Sequence, residues 1–158
     1  MYADAKRRMQ NLPANKRVIV AGISFGSLPA VRLAASFKRV EGLILNVPYA
    51  DPAINLKDFP AHKIEAFLGD THTEQTFSRA VRQYAPLRRA KDLGHVRAVL
   101  FIAQKDTYFH PQHAYRLRDE LTRRTKGLAF FEPKSLGHKS GASKYNLQSA
   151  KWLKWLDQ

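Results

Sequence analysis

The stretch Arg17-Val-Ile-Val-Ala-Gly-Ile-Ser-Phe-Gly-Ser-Leu-Pro-Ala-Val-Arg-Leu-Ala-Ala35 decides the fold. Its first part is an apolar, β-branched run of strand length. Its second part puts Leu28, Val31 and Ala35 on one helical face. Between them lies Gly22-Ile-Ser-Phe-Gly26, a G-x-S-x-G pattern at a strand-to-helix junction. A turn that sharp is expected to need a small residue on each side of the serine, hence Gly22 and Gly26. It would lift the hydroxyl of Ser24 above the carboxyl edge of a sheet, within reach of a base and a substrate.

A serine hydroxyl is a poor nucleophile at neutral pH and needs a base, which an acid must orient. Val96-Arg-Ala-Val-Leu-Phe-Ile-Ala103 is an apolar run that leads into Gln104-Lys105-Asp106, with Pro111 opening a helix soon after. Asp106 therefore falls where a strand meets its loop. Leu128-Ala-Phe-Phe-Glu132 reads as another strand, and His138 follows it in a Gly-containing loop before the last helix. The order Ser24, Asp106, His138 is nucleophile, acid, base. Asp51, after the second apolar strand, is an alternative acid. Asp106 is preferred because the strand before it is longer.

The remaining pattern supplies the scaffold. Val40 to Pro48 reads as a second parallel strand, followed by a loop over 49–60. Residues 61–84 look helical, with Ile64, Phe67, Leu68, Phe77, Val81 and Tyr84 as their apolar positions. Phe67 and Phe77 are candidates for an acyl pocket beneath a partial lid, although packing against the sheet is the simpler reading. A helix from Pro111 presents Ala114, Leu117 and Leu121 and is expected to stop at Gly127 in a left-handed cap. The last helix places Tyr145, Trp152, Leu153 and Leu156 on one core-facing stripe. Strands alternating with helices predict an α/β protein. Its expected architecture is a three-layer α/β/α sandwich around a mostly parallel sheet of about four strands. The site belongs at the strands' carboxyl ends.

With these residues in place, the chain resembles the α/β-hydrolase superfamily, and within it the prolyl-oligopeptidase-like enzymes. Tyr84-Ala-Pro-Leu-Arg-Arg-Ala-Lys-Asp-Leu93 is similar to that group's Ser-Pro-Leu stretch. Ala103-Gln-Lys-Asp106 is similar to its Gly-x-x-Asp turn, with Ala in place of Gly. The helix holding His113, Leu117 and Leu121 is similar to the one that follows. The likeness runs from about Arg17 to Leu156. It implies a serine hydrolase of small esters or amides, working through an acyl-enzyme on Ser24. His138 would be the base and Asp106 the orienting acid. The backbone N–H of Phe25 would be one oxyanion donor, and no cofactor or metal would be needed. In the superfamily the second donor comes from a loop well upstream, yet only 23 residues precede Ser24 here. Met1 to Leu12 reads as the helix before the nucleophile strand. The strand Val18–Ile23, central in the family's sheet, would become an edge here. Such an edge is expected to be covered by a second copy of the chain or by a separate chain.

Composition sets outer limits. The 158 residues read as one domain, 1–158, with 44% hydrophobic content and no cysteine. No apolar run is long enough for a membrane span, and the amino terminus carries no signal-like segment, so a cytoplasmic location is expected. His110 and His113 read as loop and helix-surface residues rather than metal ligands, and His62, His72 and His95 carry no motif. Lys and Arg number 27 against 13 Asp and Glu, a net charge of +14. Such a field attracts polyanions, but no nucleic-acid-binding motif accompanies it. A solvated basic surface is the simpler reading. A second function class stays open beside it: a catalytically impaired hydrolase-like module serving as a structural or interaction component of a larger assembly, with RNA or another polyanion as a candidate partner.

Overall fold

The computed structural model describes residues 2–51, 82, 85–146 and 149–157, with backbone alone for 144–146 and 149–151. Helix α1 (Tyr2–Gln10) leads to strand β1 (Val18–Ile23). A single 3-10 turn (Ser24–Gly26) joins β1 to α2 (Ser27–Ser36), and β2 (Val40–Asn46) follows. Then come the short α3 (Pro86–Arg89), β3 (Arg97–Phe101), α4 (Pro111–Arg124), β4 (Gly127–Phe131), α5 (His138–Asn146) and α6 (Ser149–Leu156).

The four strands pair in the order β1-β2-β3-β4, all parallel. Their pleat sends alternate side chains to opposite faces, and both faces are covered. Leu43, Leu45, Ala98 and Leu100 point to one core with Val31 and Ala34 of α2 and Leu117 and Leu121 of α4. Ile44, Val99 and Phe101 point to a second core with Trp152 and Leu156 of α6. This is why Leu43–Leu45 of β2 and Ala98–Phe101 of β3 read as continuous apolar runs rather than alternating ones. The architecture is the expected three-layer α/β/α sandwich, and its sheet is wholly parallel. Among the described residues no helix is long and apolar enough to cross a membrane.

Strand β1 lies at the sheet edge, paired among the described residues only with β2. Ile19 and Val20 are half-buried there, and Ile23 is exposed.

Five local expectations are corrected. Helix α4 stops at Arg124, not at Gly127, which instead opens β4. Thr125 makes the stop: its hydroxyl and its N–H both donate to the carbonyl of Leu121 while its backbone turns extended. The last helix is two helices, α5 and α6, and His138 is the first residue of α5 rather than a loop residue. Leu153 is exposed, whereas Trp152 and Leu156 are buried, because the helix presents only a narrow stripe to the sheet. Finally, β2 ends at Asn46, before Pro48. The readings of a helix and partial lid over 61–84, with Phe67 and Phe77, and the side chain of Tyr145 lie outside the described residues.

Candidate active site

The carboxyl ends of four parallel strands share one rim, and the chain leaves β1 there through Ser24. Its φ is 54°, in the left-handed region that non-glycine residues seldom occupy. Such a backbone costs on the order of 1–3 kcal/mol and persists only where its surroundings impose it. Here the constraint is visible. A Cβ on Gly22 would lie 2.5 Å from the carbonyl oxygen of Gly26 and 2.8 Å from the Cβ of Ala30, so only glycine lets α2 fold back this closely. The N–H of Tyr49 donates to the carbonyl of Ser24 at 3.2 Å, and the hydroxyl of Ser27 donates to the carbonyl of Tyr49 at 3.3 Å. Gly26 differs from expectation: a Cβ there would meet nothing within 4 Å among the described residues, and its φ is −60°. Its smallness is not demanded by the turn itself.

Three aromatic rings brace the elbow from behind. Phe25 stacks on Tyr49 at 5.0 Å, and Phe109 meets both edge-on at 5.3 Å. Tyr49 is fully buried. Burial, and then the charge of Asp51, push its hydroxyl far above the usual tyrosine range, so it stays neutral.

Asp106 sits midway along the loop 102–110 between β3 and α4, not where the strand meets that loop as expected, because β3 already ends at Phe101; its side chain is almost wholly buried. One carboxylate oxygen accepts the backbone N–H groups of Tyr108 and Phe109 at 2.8 and 2.9 Å. That Asx-type turn aims the other oxygen at Nδ1 of His138, 2.7 Å away. On the far side of the imidazole, Nε2 lies 3.0 Å from Oγ of Ser24. A carboxylate at Nδ1 assigns the proton to that nitrogen and leaves Nε2 free to accept from the serine hydroxyl. Tyr108 and Phe109 flank the imidazole, with ring centroids 5.1 and 5.0 Å away. The structure thus brings Ser24, Asp106 and His138 together across 114 residues of chain. Phe25, next to Ser24 in the 3-10 turn, holds its N–H at the amino end of the helical run into α2.

Asp51, the alternative acid, is turned elsewhere. Its carboxylate lies 2.5 Å from the guanidinium of Arg116 and 3.4 Å from Nδ1 of His113, both on α4. His110 precedes α4 and accepts the N–H of Gln112 at 3.4 Å. Among the described residues no three His, Cys, Asp or Glu side chains cluster as metal ligands would.

Sequence reasoning missed the residues that hold α5, and with it His138, in place. Asn46 is fully buried and donates to the carbonyl of Ala142 at 3.4 Å. A Cβ on Gly141 would already lie 3.1 Å from Ala103 and from Val47, so α5 rests directly on the strand ends. The N–H of Lys105 donates to the carbonyl of Leu136 at 3.0 Å, tying the loop of the histidine to that of the acid. One signal was available: Asn46 is a polar residue directly after the apolar run Leu43-Ile-Leu45.

Fold and layout define the class. The chain has the fold of the α/β hydrolases, over part of the length of those proteins. No protein-family model matches the sequence, and no curated protein matches it. Solved structures do. A puromycin-hydrolyzing peptidase of Mycobacterium tuberculosis superposes with a TM-score of 0.70 at 16% identity, over 93% of this chain and 23% of that one. An esterase of Pyrococcus furiosus gives 0.65 at 17% identity, over 99% of this chain and 60% of that one. Acetyl xylan esterase 1 of Thermoanaerobacterium gives 0.67 at 16% identity, over 99% and 51%. The chain therefore spans between 23% and 60% of the length of these structures.

Proposed function

We propose that this chain is a serine hydrolase that cleaves ester or amide bonds through an acyl-enzyme on Ser24. The observation that carries the reading is the unbroken relay from Asp106 through His138 to Ser24, with spacings of 2.7 and 3.0 Å. As Oγ of Ser24 attacks the acyl carbon, Nε2 of His138 takes its proton and then delivers it to the leaving oxygen or nitrogen. The carboxylate of Asp106 holds the tautomer and stabilises the imidazolium without taking a proton. Water, deprotonated by the same imidazole, releases the acid and restores Ser24. The N–H of Phe25 is one donor to the oxyanion, on the positive end of the helical run.

A second donor would come from whatever lies against the edge of β1, which among the described residues pairs only with β2 and which we propose is covered by a second copy or by a separate chain. Loss of one such donor would slow acylation about 10²–10³-fold. A fluorophosphonate probe tests the reading directly, because it needs an activated serine and not a particular substrate. Labelling of the wild type, lost in Ser24→Ala and in His138→Ala, is expected. Equal labelling of wild type and Ser24→Ala, or none in any form of the protein, would overturn it.

A further inference from the structure

The sheet has a second rim, at the amino ends of its strands and opposite Ser24. A cation stands at the head of every strand: Arg17 before β1, Arg39 before β2, Arg97 opening β3, Lys126 before β4. Because the strands are parallel and adjacent, topology gathers these residues at one rim in a staggered row: Arg97 lies opposite Gly42 and Gly127, so Lys126 falls one residue and Arg39 three residues before its level. At about 4.8 Å per strand the row is about 14 Å long. Lys16 and Lys38 extend it, and both are exposed.

Little of this charge is neutralised. The carboxylates of Glu41 and Asp157 both pair with Arg17, at 2.7 and 3.3 Å. Arg39 is held by the carbonyls of Leu12 and Pro13, which fix its direction and leave its charge in place. Among the described residues Lys16, Lys38 and Lys126 form no ion pair. Lys38 reaches 3.4 Å from His95 instead. Burial, then Lys38, and more weakly Lys126, hold that imidazole below its ordinary range, as expected where cations crowd one another. An aromatic ring completes the row: the half-buried Trp155 lies 5.7 Å from the guanidinium of Arg97 and packs over Gly127.

We infer that this amino-terminal rim is a binding ledge for a single-stranded polynucleotide, with the row of cations tracking successive phosphates and Trp155 offering a stacking face. A band of cations along one rim suits a chain that carries one charge per repeat, and a flat ring beside an arginine suits a base. The net charge of +14 steers such a strand toward the molecule. The ledge is on the far side of the sheet from Ser24, so this inference is independent of the hydrolase reading.

The test is fluorescence anisotropy of the whole chain with a labelled oligouridylate, titrated across salt concentrations. Lys16, Lys38, Arg39 and Lys126 engaging phosphates predict a log K against log salt slope of about −3. The double variant Lys38→Glu/Lys126→Glu should weaken binding at least tenfold and bring the slope to about −1.5. The control Lys105→Glu/Lys134→Glu removes the same charge at the opposite rim and should change affinity less than threefold. Thermal melts establish that each variant is folded. Equal losses in the two pairs would reduce the effect to net charge and overturn the ledge. So would binding to polyglutamate or to phosphatidylserine vesicles without binding to the oligouridylate.

Discussion

At the scale of single residues, the elbow concentrates its demands on two positions. Ser24 holds a left-handed backbone, and Gly22 makes room for it. Gly22→Ala would drive a methyl group into the carbonyl of Gly26 at 2.5 Å, with no flexible side chain to yield. Urea unfolding should show a loss of about 1–3 kcal/mol, the usual range for overpacking. Gly26→Ala meets open space among the described residues and should stay within about 0.5 kcal/mol. The two acids separate just as cleanly. Asp106 faces the imidazole, whereas Asp51 faces Arg116 and His113. Asp106→Asn should therefore lower kcat for an activated ester by about 10⁴, since the amide favours the wrong tautomer. Asp51→Asn should leave kcat within about tenfold. Equal effects at the two positions would reverse the assignment.

At the scale of elements, the sheet's last strand is tied to α4 by a polar cluster. The carboxylate of Glu132 accepts from the hydroxyl of Tyr115 and from Nε2 of Gln104. Those two hydrogen bonds, Tyr115 first, hold the Glu132 carboxyl below its ordinary value, and the same contact raises the hydroxyl of Tyr115. A depressed folded-state value means the ionised form is favoured by folding. The contribution is present above the unfolded carboxyl range and is lost as pH falls through the lower folded value. Tyr115→Phe should narrow that gap, which a flatter acid limb of stability against pH would reveal, with little change at pH 7 and above beyond a constant offset. On the opposite face α6 is anchored by Trp152, fully buried and edge-on to Phe101 and Phe131. Trp152→Ala should cost about 3–5 kcal/mol by denaturant titration.

At the scale of the whole molecule, the edge of β1 dominates, since among the described residues that strand pairs only with β2. An exposed strand edge rich in Val and Ile recruits other chains unless charge, proline or a covering element prevents it. The chain should therefore run in size-exclusion chromatography with light scattering at a mass above its own 18.0 kDa. A stable, monodisperse monomer would count against a covered edge.

Much of this was legible in the residues. The apolar runs of β2 and β3 are buried on both faces, so their pattern needed no knowledge of neighbours. The G-x-S-x-G elbow carries its own steric cause in Gly22. The helix after Pro111 was visible in Ala114, Leu117 and Leu121. Its end was not, because Thr125 stops it through a hydroxyl bond to Leu121, a local competition that glycine punctuation does not reveal. Leu153 looked like core because its spacing fits a stripe, yet how wide a stripe is buried depends on what lies opposite.

The sequence by itself determined the order of strands and helices, the strained serine turn and the choice of residues able to relay a proton. Local sterics and the period of apolar side chains suffice for those. Only the tertiary structure decided that the imidazole of His138 reaches both Ser24 and Asp106, and that Asp51 answers to α4 instead. It alone also lined up the cations before each strand on one ledge. Those facts depend on the parallel stacking of strands, which sends every carboxyl end to one rim and every amino end to the other.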